Sequence, residues 1–302
     1  MYNYIVYQNL RTANYVQLNN TDNHNQLIGL IDFDGTLFET ESLYDDCMDV
    51  LLHSHGITQL PRTAYKGPVA DKYRFVTGTG WRIIIPCTVE HLTGGRLTPQ
   101  ETESLVHEFT DLVCDHAISS PIDHSYQPTI EFCKEIIGLG GRLSIHSGTE
   151  PEIVSTLLDH KGASDLFDVI VASNKTNKPD GGHTRYKKHL LSKLMDHYEH
   201  PESRGYSEPR AQGHHDHNDN GGHTAVNGDH TADLVLRFFV LGDSNGDAAA
   251  AEELDLPFIM ARKQDNPAEL TIGARTIHPS MSLVVDGDGS EIPGLTKKIS
   301  NN

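Results

Sequence analysis

The chain has 302 residues, 37% of them hydrophobic, with a mean hydropathy of −0.43 and a formal net charge of −18. Such a length holds one large domain, or a core domain with a smaller one, and no apolar run approaches the ~20 residues that a membrane-crossing helix needs. The acidic balance argues against a nucleic-acid partner, because binding a polyanion takes clustered Lys and Arg.

Residues 1–26 are polar and Asn-rich and read as an edge strand or a loose arm. They lack a basic segment followed by an apolar one, so no secretory signal is expected. Next comes LIGLI (27–31), a short continuous apolar run of the kind that forms a buried parallel strand. Further runs of this type are RLSIH (142–146), DVIVA (168–172), LVLRFFVL (234–241) and PFIMA (257–261). Helical spacing fills the intervals. In YDDCMDVLLHSHG, Leu43, Cys47, Val50 and Leu51 fall on one helical face that ends at Gly56. TPQETESLVHEFTDLVCDHA (98–117) opens with Thr98 as N-cap and Pro99 at the first helical position. PTIEFCKEIIGLGG presents Ile130, Cys133, Ile136 and Ile137 and stops at Gly-Gly; PEIVSTLLDHKG starts at Pro151 and closes at Gly162.

Strands alternating with helices predict an α/β fold, a doubly wound parallel sheet. About a hundred residues separate the first two strands, enough for an inserted helical domain. We expect an arm at 1–26, a core at 27–38 and 125–299, and a helical insert at 39–124. A polar loop at 200–232, rich in His, Gly and Asp, interrupts the core.

In an open parallel sheet the ligand crevice lies beyond the carboxyl ends of the strands. Here those ends carry Asp32-Phe33-Asp34-Gly35-Thr36, then Ser147-Gly148-Thr149, then Lys175 and Lys178, and finally Gly242-Asp243-Ser244-Asn245-Gly246-Asp247. Carboxylates set against an apolar strand are costly unless a cation or hydrogen bonds compensate them. Their convergence on one sheet edge predicts a divalent cation there.

These four segments, in this order, resemble the motifs of the haloacid dehalogenase-like hydrolase superfamily, from DxDGT at Asp32–Thr36 to GDSxxD at Gly242–Asp247. The resemblance spans roughly residues 27–290 and implies a Rossmann-like core with a helical cap inserted between motifs one and two. It implies catalytic roles for Asp32, Asp34, Ser147 and Lys178, with Mg²⁺ held by Asp32, Asp34 through its backbone carbonyl, and Asp243, and Asp247 in support. Asp32 would be the nucleophile forming an aspartyl-phosphate, and Asp34 the acid and base. Ser147 would donate to a phosphoryl oxygen and Lys178 would offset its charge. Dehalogenases lack an acid at the position of Asp34, so the resemblance favours hydrolysis of a small phosphorylated metabolite. Phosphoryl transfer to a sugar phosphate and a non-catalytic regulatory role are the alternatives.

Several residues carry a second reading. Lys175 is an alternative to Lys178, and Thr149 is a candidate cap for PEIVSTLL. The histidines at 200, 214, 215, 217, 223 and 230 suggest zinc but lack ligand spacing on a defined element, so a solvated loop is favoured. Tyr65, Tyr73, Arg74, Trp81 and Arg82 lie in the insert, as cap packing or as readers of the leaving group. Phe38 and Glu39 stand where core and cap would hinge. The four cysteines form no CxxC pair and suggest reduced thiols in a cytoplasmic setting, and the net charge suggests solubility or adaptation to a salty cytoplasm.

Overall fold

The structure is a computed structural model that describes residues 5–8, 25–57, 81–172, 182–200, 235–266, 269–272, 275–277, 279 and 281–301. Seven strands form the main sheet: β1 (Ile5–Gln8), β2 (Asn25–Asp32), β3 (Arg142–Ser147), β4 (Val169–Ala172), β5 (Val235–Gly242), β6 (Phe258–Arg262) and, beyond a small hairpin, β9 (Ser282–Val284). The hairpin is β7 (Leu270–Ile272) with β8 (Arg275–Ile277). The order across the main sheet is β1-β4-β3-β2-β5-β6-β9. Strands β4, β3, β2, β5, β6 and β9 run parallel, and β1 alone pairs antiparallel, against β4. The polar arm therefore supplies an edge strand, and its last two residues, Asn25 and Gln26, already belong to β2.

The helices are α1 (Glu41–Ser54), α2 (Trp81–Thr93), α3 (Pro99–Ser119), α4 (Gln127–Gly138), α5 (Pro151–His160), α6 (Gly182–Glu199), α7 (Asn245–Glu253) and α8 (Ile292–Asn301). They cover both faces of the sheet. Because side chains alternate along a strand, a central strand needs apolar residues at every position. On β2, Ile31 joins Leu143, Ile145 and Leu241 under Phe132 and Ile136 of α4, Leu157 of α5 and Ile292 of α8. Ile28 and Leu30 point the other way, joining Val171 and Val240 under Leu190 and Leu194 of α6 and Ala250 and Ala251 of α7. Each such aliphatic side chain contributes about 1.5–3 kcal/mol when fully buried. Small residues from Gly246 to Ala251 are all buried on α7, which lets that helix lie close to the sheet.

Local signals set most helix ends. Thr98 caps α3 through a reciprocal box: its hydroxyl accepts from the Glu101 N–H, and the Glu101 carboxylate accepts from the Thr98 N–H at 2.7 Å. Pro151 opens α5, and Gly56, Gly140 and Gly162 follow α1, α4 and α5 with positive φ. On α1 the buried stripe is Leu43, Tyr44, Cys47, Met48, Leu51 and Leu52, while Val50 is 51% exposed, against the sequence expectation. At about 100° per residue the buried stripe is centred between Leu51 and Tyr44, and Val50 falls just beyond its Leu43 edge. Ile137 of α4, likewise expected on the buried face, is 37% exposed.

Helices α1, α2 and α3 lie between β2 and β3 in the chain. Their buried residues, among them Leu51, Ile85 and Phe109, belong to the same apolar cluster as the sheet face above Ile31. The two chain crossings between these helices and the sheet run side by side: the Glu39 N–H donates to His124 O at 2.7 Å and the Tyr126 N–H to Leu37 O at 2.9 Å. Phe38 and Ser125 form a β-bridge there. Among the described residues no helix is long and apolar enough to cross a membrane.

Candidate active site

Strand β2 ends at Asp32, and the chain then turns tightly, with the Gly35 N–H donating to Phe38 O and the Leu37 N–H to Phe33 O. Gly35 adopts φ +72, and a Cβ there would lie 2.0 Å from Asp243 Oδ2. Only glycine lets the carboxylate at the end of β5 press against the loop at the end of β2. Gly242 has a similar role, since a Cβ on it would lie 2.6 Å from Asp247 Cγ. Two glycines thus allow Asp243 and Asp247 to crowd the corner of the sheet where Asp32 ends β2.

Asp32 is 3% exposed. Its Oδ1 accepts from Lys187 Nζ at 2.5 Å, and the same ammonium lies 2.9 Å from Asp247 Oδ1. Lys187 is buried and reaches the strand ends from α6. Asp247 stands in the first turn of α7, where its Oδ2 accepts from the N–H and hydroxyl of Ser244, and its own N–H donates back to Ser244 Oγ. One oxygen of Asp247 therefore serves the helix cap and the other serves Lys187. His146 of β3 is fully buried beside them, with Nδ1 3.6 Å from Asp32 Oδ1 and 4.0 Å from Asp247 Oδ1. Asp32, His146 and Asp247 offer ligand atoms within 4.8 Å of one another, but the Lys187 ammonium already bridges the two carboxylates.

Burial, reinforced by the charges of Asp247 and Asp243, raises the Asp32 carboxyl well above the usual carboxylate range, with Lys187 opposing the shift. Enclosure by protein pushes Asp243 up to about 7, with Asp247 and Asp34 adding repulsion and Lys187 opposing it. Asp243 nonetheless opens onto the crevice.

Asp34 lies in a different environment. Its Oδ1 accepts from Thr40 Oγ1 at 2.8 Å and Tyr44 OH at 2.8 Å, and its Oδ2 from Ser147 Oγ at 3.1 Å and Thr149 Oγ1 at 2.7 Å. Ser147 Oγ also accepts from the Thr149 N–H at 2.9 Å. Thr149 is therefore committed to Asp34 rather than to capping α5, whose N-cap is Glu150 without a side-chain hydrogen bond. The crevice in front of these groups holds about 550 Å³. Asp32, Asp34, Asp243 and Thr149 line its floor, with Tyr44 of α1 and Ile84 of α2 on the side of the inserted helices.

Asp32, Asp34, Ser147, Asp243 and Asp247 of the sequence reading thus surround one crevice or brace its floor. Lys178 and Lys175 lie outside the described residues, as do Tyr65, Tyr73, Arg74, most of the 200–232 loop with its histidines from 214 onward, and the side chains of Trp81 and Arg82. The lysine that meets Asp32 is Lys187, which no proline marks. A signal for it exists, however: in YKKHLLSKL it precedes Leu190 and Leu191 by one turn, a cation on the apolar face of an amphipathic helix. His146, a polar residue within an apolar strand and in register with Asp32, is similarly visible once sought.

No family model and no curated protein matches this sequence. Solved structures do match the fold. A predicted phosphoglycolate phosphatase from Haemophilus somnus superposes with a TM-score of 0.57 at 14% identity, covering 91% of this chain and all of that one. CbbY from Rhodobacter sphaeroides, solved with phosphate, gives 0.55 at 18% identity, covering 89% of this chain and 98% of its own. A β-phosphoglucomutase from Clostridium difficile gives 0.54 at 10% identity, covering 91% and 97%. The parallel sheet between two helical layers, with DFDGT closing its central strand and GDSNGD closing the neighbouring one, is the fold that these structures share.

Proposed function

We propose that this chain is a Mg²⁺-dependent hydrolase of a small phosphomonoester, working through a phosphoryl group carried on Asp32. The observation that carries the reading is the pairing of two unlike carboxylates at one crevice: Asp32, buried and bound to an ammonium, and Asp34, two residues on and bound only to hydroxyls among the side-chain partners described. Different environments fit two carboxylates for different tasks.

The residues suit a hard cation. Four carboxylates gather here, Asp32, Asp34, Asp243 and Asp247, and the described side chains bring one ammonium against them, while Asp32 and Asp243 are held in a state that disfavours their charge. The carboxylates of Asp32 and Asp243 and the backbone carbonyl of Asp34 are oxygen donors of the kind magnesium prefers, with Asp247 a brace behind them. Bound there, magnesium would neutralise charge on the phosphoryl oxygens.

In this scheme an Asp32 oxygen attacks phosphorus as the bond to the leaving oxygen breaks, and Asp34 delivers a proton to that oxygen. Water then attacks the phosphorus of the aspartyl-phosphate, Asp34 takes its proton, and Asp32 is regenerated. Lys187, rather than Lys178, would steady Asp32 and the phosphoryl charge, and Ser147 would turn to a phosphoryl oxygen. Helices α1–α3 would form the cap over the crevice, moving on the paired crossings at Phe38–Glu39 and His124–Ser125.

The test is a panel of phosphate esters assayed with and without Mg²⁺ on the parent and on Asp32→Asn. Mg²⁺-dependent phosphate release, reduced by at least about 1,000-fold in the variant, is the expected result. Undiminished release by Asp32→Asn would refute the nucleophile. A second reading, phosphoryl transfer to a sugar phosphate, draws support from the likeness to a solved β-phosphoglucomutase. Conversion of one sugar phosphate into its isomer without net phosphate release would favour it.

A further inference from the structure

We propose that Tyr44 is a positioning residue for proton transfer at this site: its hydroxyl fixes one oxygen of Asp34 so that the other can carry the proton to an alkoxide leaving group. The proposal rests on the hydrolase reading above and assigns a role to a residue outside the motifs.

The geometry separates the two oxygens of Asp34. Thr40 and Tyr44, both on the chain leading into the inserted helices, serve Oδ1; Ser147 and Thr149, on the loop after β3, serve Oδ2. With both oxygens doubly occupied, a donating proton has no place until one partner leaves. The Ser147 contact is the longest of the four at 3.1 Å, and Ser147 is the group expected to turn toward a phosphoryl oxygen. Its departure opens Oδ2 for the acid proton. Oδ1 then depends on Thr40 and Tyr44 to keep the carboxyl from rotating.

Tyr44 suits that task. Its ring is 8% exposed and packs against Phe109 of α3, with centroids 6.2 Å apart at 52°. Two torsions between such a ring and its backbone leave the hydroxyl little freedom. Its hydroxyl donates to Asp34 Oδ1 at 2.8 Å. Thr149 Oγ1, the donor on Oδ2, lies 3.3 Å from the Tyr44 hydroxyl oxygen, so the two donors hold Asp34 from adjacent positions. A proton donor displaced by even 1 Å loses much of its effect, because transfer depends on near-attack geometry.

The test compares Tyr44→Phe with the parent on an alkyl phosphate and on p-nitrophenyl phosphate, reading kcat/KM, which reports events through departure of the leaving group. The alkyl ester needs an acid and the aryl ester does not. We expect a loss of about 10- to 100-fold for the alkyl ester and less than about 3-fold for the aryl ester. Leu51→Ala, which removes core packing from the same helix about two turns away, should lower the melting temperature and leave the alkyl-to-aryl ratio at the parent value. Parallel losses in Tyr44→Phe, no loss at all, a matching change of ratio in Leu51→Ala, or failure of Tyr44→Phe to fold would each overturn the proposal. A parent protein inactive on both esters would overturn the hydrolase reading itself, whereas an active parent with a flat Tyr44→Phe ratio would remove only Tyr44.

Discussion

Asp32 and Lys187 lie 155 positions apart in the chain, yet Lys187 Nζ comes within 2.5 Å of Asp32 Oδ1 at the crevice. A buried ammonium that bridges two buried carboxylates cannot be removed without leaving charge uncompensated. If the chain is the hydrolase proposed above, Lys187→Met reduces phosphate release by about 100-fold or more and costs about 3–5 kcal/mol in urea unfolding, while Lys178→Met stays near the parent in both. Equal effects of the two variants would return the phosphate-neutralising role to Lys178. DFDGT and GDSNGD were legible in the sequence because each is a local device, a turn or a helix start whose carboxylates sit within a few residues of a strand end. The lysine was not, since nothing local ties it to a strand end: it arrives across the fold on α6, and its signature is a charge among Tyr186, Leu190 and Leu191. His146 escaped for a related reason, being read as one letter of an apolar run.

Elements were legible where periodicity and punctuation agreed. Thr98 with Pro99, Pro151 and the helix-ending glycines all appear where their backbone chemistry requires. The sheet's central strands announced themselves as continuous apolar runs. The short pieces β7, β8 and β9 did not, since three residues each are too few to show a period. On α1 the apolar spacing identified a face but placed its centre too far toward Val50, because packing against α3 rotates the buried stripe toward Tyr44 and Met48. The consequence can be measured by chemical denaturation: Leu51→Ala should cost about 2–5 kcal/mol and Val50→Ala less than about 1. Comparable losses at both sites would place the interface of α1 elsewhere.

At the scale of the whole molecule, the order β4-β3-β2-β5-β6-β9 puts the DFDGT strand at the middle of the sheet, with the serine-bearing strand on one side and the GDSNGD strand on the other. The alternation of strands and helices predicted a parallel sheet but not its order, and the order is what brings residues more than two hundred positions apart to one crevice. The insert between β2 and β3 was legible as a length of chain; its join to the core, two antiparallel crossings sharing backbone hydrogen bonds, was not. Among the described strands of the main sheet, only β1 departs from the common direction. Its four residues, Ile5–Gln8, lie along Val169–Ala172 and occupy the flank of β4 that would otherwise present a free row of amides and carbonyls. A protein trimmed of residues 1–8 would offer that flank to a second copy, and such exposed flanks adhere to one another. Light scattering should then find the trimmed form associating more strongly than the parent as concentration rises, so a few residues remote from any chemistry would limit how readily copies adhere.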